Sequence, residues 1–159
     1  MGLRLSRDYP LPPEDEAPLR KSVQKGVGAT VLVILIVLGV ALVAGGKPGD
    51  PLTLLRDILG AVAILLVINQ YSRGVAGQRL LLAREYRKRN EPERVLAALL
   101  PFARSGGLFN RSRFDTTGEA HYLLAWSAKQ CGETELLAYA KAFLGKFRRG
   151  QWAKKAAKL

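Results

Sequence analysis

The spacing of apolar and polar positions divides the chain into parts of different character. Gly26 to Gly46 is a run of 21 residues without a charge, and Val31 to Val40 within it is almost wholly Val, Leu and Ile. At 1.5 Å rise per residue, about 20 helical residues cover the ~30 Å hydrocarbon core of a bilayer. A buried helix of a soluble protein would keep a polar stripe, and a cleaved leader would open with a short basic segment. Here 25 residues come first, among them the acidic, proline-rich stretch Pro10 to Glu16. The pattern predicts an uncleaved first span over about 27–46, behind a disordered N-terminal tail over 1–25. A polar turn over 46–50 follows, and Asp50 is placed to cap a helix that opens on Pro51. From Pro51 to Tyr71 there are again 21 residues, broken only by Arg56 and Asp57. Arg near a helix end can snorkel to the headgroups, so the pair reads as an edge feature and not as an ion path. The second span is predicted over about 51–71, and 26–72 reads as an antiparallel transmembrane helical hairpin. Small residues at Gly39, Ala41, Ala44, Gly60 and Ala63 favour close approach of its helices.

Beyond residue 72 the period stays helical and no strand alternation appears. One helix is predicted from about Gly74 to Arg89, continuous with the span before it. Asn90 is expected to cap the next, with Pro92 in its first turn and Glu93 at the capping-box position. There Val95, Leu99 and Phe102 recur at i, i+4 and i+7 until Gly106-Gly107. Thr116 with Glu119 has the form of another capping box, opening a helix that ends at Gly132. A last helix carries Leu136, Leu137, Ala140, Phe143, Leu144 and Phe147 and stops at Gly150. The fold class is therefore all-α: the two-helix membrane hairpin, a basic helical domain over 73–150, and a basic tail over 151–159.

These helices pair into two similar hairpins. A shift of 42 sets Leu81-Leu82-Ala83 on Leu123-Leu124-Ala125, Glu91 and Glu93 on Glu133 and Glu135, and Ala98 on Ala140. It also sets Asn90 on Gly132, Val95 on Leu137 and Phe102 on Leu144. Each hairpin resembles a degenerate tetratricopeptide repeat, on Leu82, Ala83, Tyr86, Asn90, Val95 and Phe102 in the first and Leu124, Ala125, Gly132, Leu137 and Leu144 in the second. Ala128 stands where that family has an aromatic, Lys141 where it packs a core residue, and the offset is 42 rather than 34. The resemblance implies a protein-interaction module, with Leu82, Ala83, Tyr86, Val95, Leu124, Ala125 and Leu137 as packing residues. Two such units bury little core, so a partner, a second copy or the membrane would complete them.

Composition removes several classes of function. At 48% hydrophobic residues the chain is not disordered throughout. One cysteine, Cys131, excludes a disulfide scaffold, and one histidine, His121, excludes a zinc site built from Cys and His. Phosphate loop, HExxH, CxxC and GxSxG are all missing from the sequence. No catalytic residue, cofactor or metal is expected, and His121 and Cys131 read as structural.

Charge changes the picture most. Lys+Arg number 25 against Asp+Glu 13, and residues 72–159 hold 18 of the basic and 7 of the acidic residues, a net +11. Arg4, Arg7, Arg20, Lys21 and Lys25 precede the first span, Arg73 to Arg89 follow the second, and Lys47 is alone in the turn. That asymmetry places both termini in the cytoplasm of a bacterial inner membrane. Arg84, Arg87, Lys88 and Arg89 stand close to the bilayer exit, where each cation gains about 1 kcal/mol near an anionic leaflet. Phe109, Arg111, Arg113 and Phe114 alternate aromatic with arginine, and Trp152 lies among the tail's lysines; all are candidate membrane-surface or partner contacts. The expected partners are anionic lipids and a protein or second copy, with nucleic acid less favoured. The function that follows is a non-enzymatic membrane scaffold or accessory subunit. A tether for nucleic acid or ribosomes is the alternative.

Overall fold

The computed structural model of the chain describes residues 5–19, 51–104, 111–147 and 150–159, with isolated positions between 21 and 39. Among the described residues the protein is all-α and no strand occurs. The chain divides into two compact units, Pro18–Val75 on the one hand and Ala76–Leu159 with the N-terminal segment up to Ala17 on the other.

The main element of the first unit is the beginning of helix α1, Pro51–Lys88, which is 38 residues long. At 1.5 Å per residue that is about 57 Å, nearly twice the ~30 Å hydrocarbon thickness. Its segment Asp57–Lys88 is long and apolar enough to cross a membrane, with a mean hydropathy of 1.5 in a window only 11% buried. That low burial separates it from the core helix of a soluble protein. Leu54, Ile58, Leu59, Val62, Ile64, Leu65 and Leu66 are each about half exposed, and apolar residues so grouped are uncommon on the surface of a soluble monomer. The predicted first span over 27–46 and the turn over 46–50 lie outside the described residues, save for isolated positions. Of these, Leu32, Leu35 and Ile36 are more than half exposed as well. The side chain of Arg56 lies outside the described residues, and Asp57 is exposed.

In the second unit the remainder of α1 is followed by α2 (Pro92–Arg104), α3 (Glu119–Cys131), α4 (Thr134–Leu144) and the short α5 (Gln151–Ala156). Single 3₁₀ turns occupy Arg111–Phe114 and Gly145–Phe147. Helix α3 packs against both α2 and α4, and α5 lies on α3 and α4. The basic tail predicted over 151–159 is thus partly helical and packed, and Ala156 is buried. The last long helix ends at Leu144, not at Gly150, because the chain tightens into the 3₁₀ turn there.

The turns between paired helices share one geometry. Asn90 and Gly132 are left-handed, at φ 58° and 77°. The Glu91 N–H donates to the Tyr86 carbonyl at 3.0 Å and the Glu133 N–H to the Ala128 carbonyl at 2.9 Å. Both are the six-to-one bonds that close a helix on a left-handed residue. Four residues further on, Val95 N–H bonds Glu91 O at 3.1 Å and Leu137 N–H bonds Glu133 O at 3.0 Å. Burial matches at Ala83 with Ala125, Ala98 with Ala140 and Phe102 with Leu144, but not throughout: Leu96 and Leu99 are wholly buried where Ala138 and Lys141 are exposed.

Two caps differ from expectation. Asn90 ends α1 and does not cap α2, since its left-handed backbone is that of a helix stop and Glu91 takes the position before Pro92. Helix α3 has no Thr116–Glu119 capping box. Gly118 precedes it at φ 82°, and the Asp115 carboxylate instead accepts from Ala120 N–H at 3.2 Å and His121 N–H at 2.9 Å. The left-handed glycine folds the loop back far enough for a residue four positions out to satisfy two of the orphan amides. An added Cβ at Gly118 would come 2.9 Å from Leu144 Cδ2.

Candidate functional site

The residues predicted to pack the hairpins form the core of the second unit. Ala83, Val95, Leu124 and Ala125 are wholly buried, Tyr86 nearly so, and Leu82 and Leu137 are half-buried against them. Alanine at the first and second crossing leaves room for the facing helix to approach.

The predicted surface contacts are largely engaged within the unit and do not converge on one patch. Arg84 donates two bonds to the Glu119 carboxylate, at 2.8 and 2.7 Å. Lys88 pairs with Glu85 at 2.7 Å. The Arg87 guanidinium lies 3.9 Å above the Trp126 ring and 5.8 Å from that of Tyr122. Arg113 sits 4.7 Å over Phe114, whose ring packs on the core. Trp152 folds back with its ring 5.0 Å from Tyr122, and Lys155 covers it at 4.5 Å. Arg89 is exposed. Phe109 lies outside the described residues, as does the side chain of Arg111.

His121 is buried and has a structural partner. Its Nδ1 is 2.6 Å from Asp115 Oδ2, and its ring stacks on Phe143 at 3.5 Å with an 11° angle between planes. Phe102 meets it edge-on at 6.3 Å. The Nδ1–H donates to the carboxylate, which orients Asp115 toward the start of α3. Nε2 is buried without a hydrogen-bond partner. The bond from His121 and the two amide bonds together hold the Asp115 loop against the start of α3.

The most organised polar site was not foreseen from sequence. Glu133, nearly buried, receives the Ser6 N–H at 3.0 Å, the Ser6 hydroxyl, and the Tyr9 hydroxyl at 2.7 Å. Arg7, between those two residues, donates to Glu93 at 2.6 Å and to the Tyr9 oxygen at 3.1 Å. Tyr9 is buried in the core cluster, Leu5 and Leu11 pack beside it, and Tyr86 donates its hydroxyl proton to Asp15. Residues 5–17 are therefore docked on the unit, against the expectation of a disordered tail; residues 13–19 are helical. Leu5, Tyr9 and Leu11, three apolar residues in a polar stretch, were the available signal. Burial pushes the Glu133 carboxyl up, but the bonds from Ser6 and Tyr9 outweigh it and hold the group below its ordinary value. Burial raises the nearby Cys131 thiol, which suits a packing role over a reactive one.

The described surface also carries open clefts. One of about 380 Å³ between α4 and α5 is lined by Lys141, Leu144, Ala153 and Ala156, and one of about 1020 Å³ by Thr116, Thr117, Lys146 and Phe147. Among the described residues no three of His, Cys, Asp or Glu gather as a metal site. Comparison with protein-family models, with curated proteins and with solved structures finds no match for this chain.

Proposed function

We propose that the chain is a non-enzymatic integral membrane protein whose paired helical hairpins serve as a protein-interaction scaffold, or as an accessory subunit of a membrane complex. One observation carries the reading: the 42-residue equivalence of the two hairpins, which extends from the turn hydrogen bonds to the buried alanines. Stacked, equivalent helix pairs are the architecture of modules that bind other proteins on an extended surface, and the tetratricopeptide resemblance points the same way. The first hairpin begins inside α1, the helix that also offers a bare apolar surface, so the module is anchored by its own first helix. The hairpin of spans 27–46 and 51–71 in a bacterial inner membrane, with both termini cytoplasmic, rests on the lysine and arginine asymmetry. A reporter active only in the cytoplasm, fused after Leu159, should be on; a silent one beside an active periplasmic reporter would overturn that orientation.

The net +11 of residues 72–159 favours a second reading, a tether for nucleic acid or ribosomes. Affinity purification in mild detergent, repeated at rising salt, separates the two. Scaffold binding should change little with salt, and mass spectrometry should return a protein. Duplex binding would fall with a log–log slope of roughly 0.9 per phosphate contacted. Loss of all captured material at high salt, with nucleic acid recovered at low salt, would replace the first reading by the second.

A further inference from the structure

The docked N-terminal segment shows what one edge of the module accepts. The turns at Asn90 and Gly132 bring Glu93 and Glu133 within reach of neighbouring residues of a single N-terminal segment. Both are acceptors, and everything they receive is a donor: a backbone N–H, two hydroxyls and a guanidinium. Four of the seven acidic residues after residue 72, Glu91, Glu93, Glu133 and Glu135, follow these two turns. Glu91 pairs with Arg94 at 3.4 Å, Glu85 with Lys88, Glu119 with Arg84 and Asp115 with His121. An apolar footing lies beneath the acceptors, filled by Tyr9 with Leu5 and Leu11 beside it. A carboxylate that takes three bonds from one segment fixes which donors that segment must carry and at what spacing.

We propose that this edge is the docking surface for an extended, basic, hydroxyl-bearing segment of a partner protein, and that residues 5–9 are its resident competitor. The proposal rests on the scaffold reading and names the surface through which it operates. A partner segment must match Ser6, Arg7 and Tyr9 in donor pattern and spacing, and it gains the edge only by displacing the chain's own N-terminal segment. The Arg7–Glu93 pair is exposed at 53% and 62% of its side chains, so it selects charge and register; affinity comes from the Glu133 bonds and the Tyr9 pocket.

The test uses the full chain in mild detergent and a fluorescein-labelled peptide copying residues 3–11, followed by fluorescence polarisation. The wild type should bind it weakly, because the site is filled. The chain carrying Ser6→Ala with Tyr9→Phe keeps the surface but loses two donors, and should bind the peptide at least about tenfold tighter. Adding Glu133→Gln should abolish that gain. Glu93→Arg should weaken capture a few-fold, and a peptide with Arg7→Glu should restore it, which a misfolded variant could not do. Equal binding by the wild type and the double variant, or binding indifferent to Glu133→Gln, would overturn the proposal. Cross-linking of the segment of one chain to the edge of another, in place of a separate protein, would overturn the assignment of the partner. Peptide capture with no co-purifying protein would defeat the scaffold reading and leave the surface standing. A salt-resistant partner with no peptide capture would do the reverse.

Discussion

The two hairpins of the module reach one geometry by different means. The first turn uses Asn90 in the left-handed region and the second uses Gly132, yet each closes with the same six-to-one bond to a carbonyl five residues back. Tyr86 fills the first interior where the equivalent position in the second holds the small, wholly buried Ala128. The deepest difference lies at the start. The first hairpin begins inside a 38-residue helix and has no free amides to satisfy. The second begins after a loop and needs Asp115, Gly118 and His121 to form its first turn. Two hairpins can thus share a turn geometry while their ends answer to whatever precedes them.

The largest effect expected on this comparison is at Asp115. Asp115→Ala strips two amides and the His121 ring of their acceptor, leaving buried donors unpaired at a cost on the order of 3–5 kcal/mol. Hydrogen exchange should then rise across Glu119–Leu144 before the first hairpin is affected. Uniform change in both hairpins would show that they do not melt as separate units.

Next come the interior alanines. Ala83→Leu and Ala125→Leu each overpack a wholly buried crossing and should cost about 1–3 kcal/mol. Ala153→Leu, half-buried beside the α4–α5 cleft, should cost far less. Limited proteolysis in detergent ranks the three. If the inner alanines accept leucine with protease resistance intact, the two sites are not equivalent crossings and the hairpin pairing fails.

Smaller still is the exchange at the turns. Gly132→Ala forces a side chain to φ 77° with open space around it, so backbone strain alone should cost about 1–2 kcal/mol. Asn90→Gly relaxes the first turn and should change stability by a few tenths of a kcal/mol. Thermal melts compare the two, and a larger penalty at Asn90 would mean its side chain holds the turn.

The smallest effect concerns pH. Glu133 titrates below its ordinary value of 4.5 because Ser6 and Tyr9 donate to the ionised form. A depressed carboxyl stabilises docking above the unfolded value, and the gain disappears as pH falls through the folded one. The N-terminal segment should therefore loosen only below about pH 4.5, around a carboxylate whose other neighbours are Arg7, Tyr9, Glu93 and the Cys131 thiol. Carbon-detected NMR of that carboxylate reads the midpoint directly. In Ser6→Ala with Tyr9→Phe it should move up, and an unmoved midpoint would show that the segment does not set it.

Much of the module was legible in the residues. Helix period, turn signals and the 42-residue shift located four helices and named the alanines that prove to be wholly buried. The caps were less legible. Thr116 and Glu119 have the spacing of a capping box, but a left-handed Gly118 redirects the loop and hands the task to Asp115. Asn90 carries the chemistry of a start and a stop alike, and the bond that decides between them is made to Tyr86 in the preceding helix.

What the sequence by itself determined is whatever depends on neighbours within a turn or two: helical period, an apolar run too bare for water, and the sign of the charge on each side of it. Those properties survive any arrangement of the rest, because near neighbours along the chain remain near in space. Only the tertiary structure decided the fate of Ser6, Arg7 and Tyr9, whose acceptors Glu93 and Glu133 lie 86 to 127 positions away. Nothing local in a polar, proline-rich stretch prefers docking to disorder. The preference comes from a buried carboxylate and an apolar pocket that exist only once both hairpins have closed.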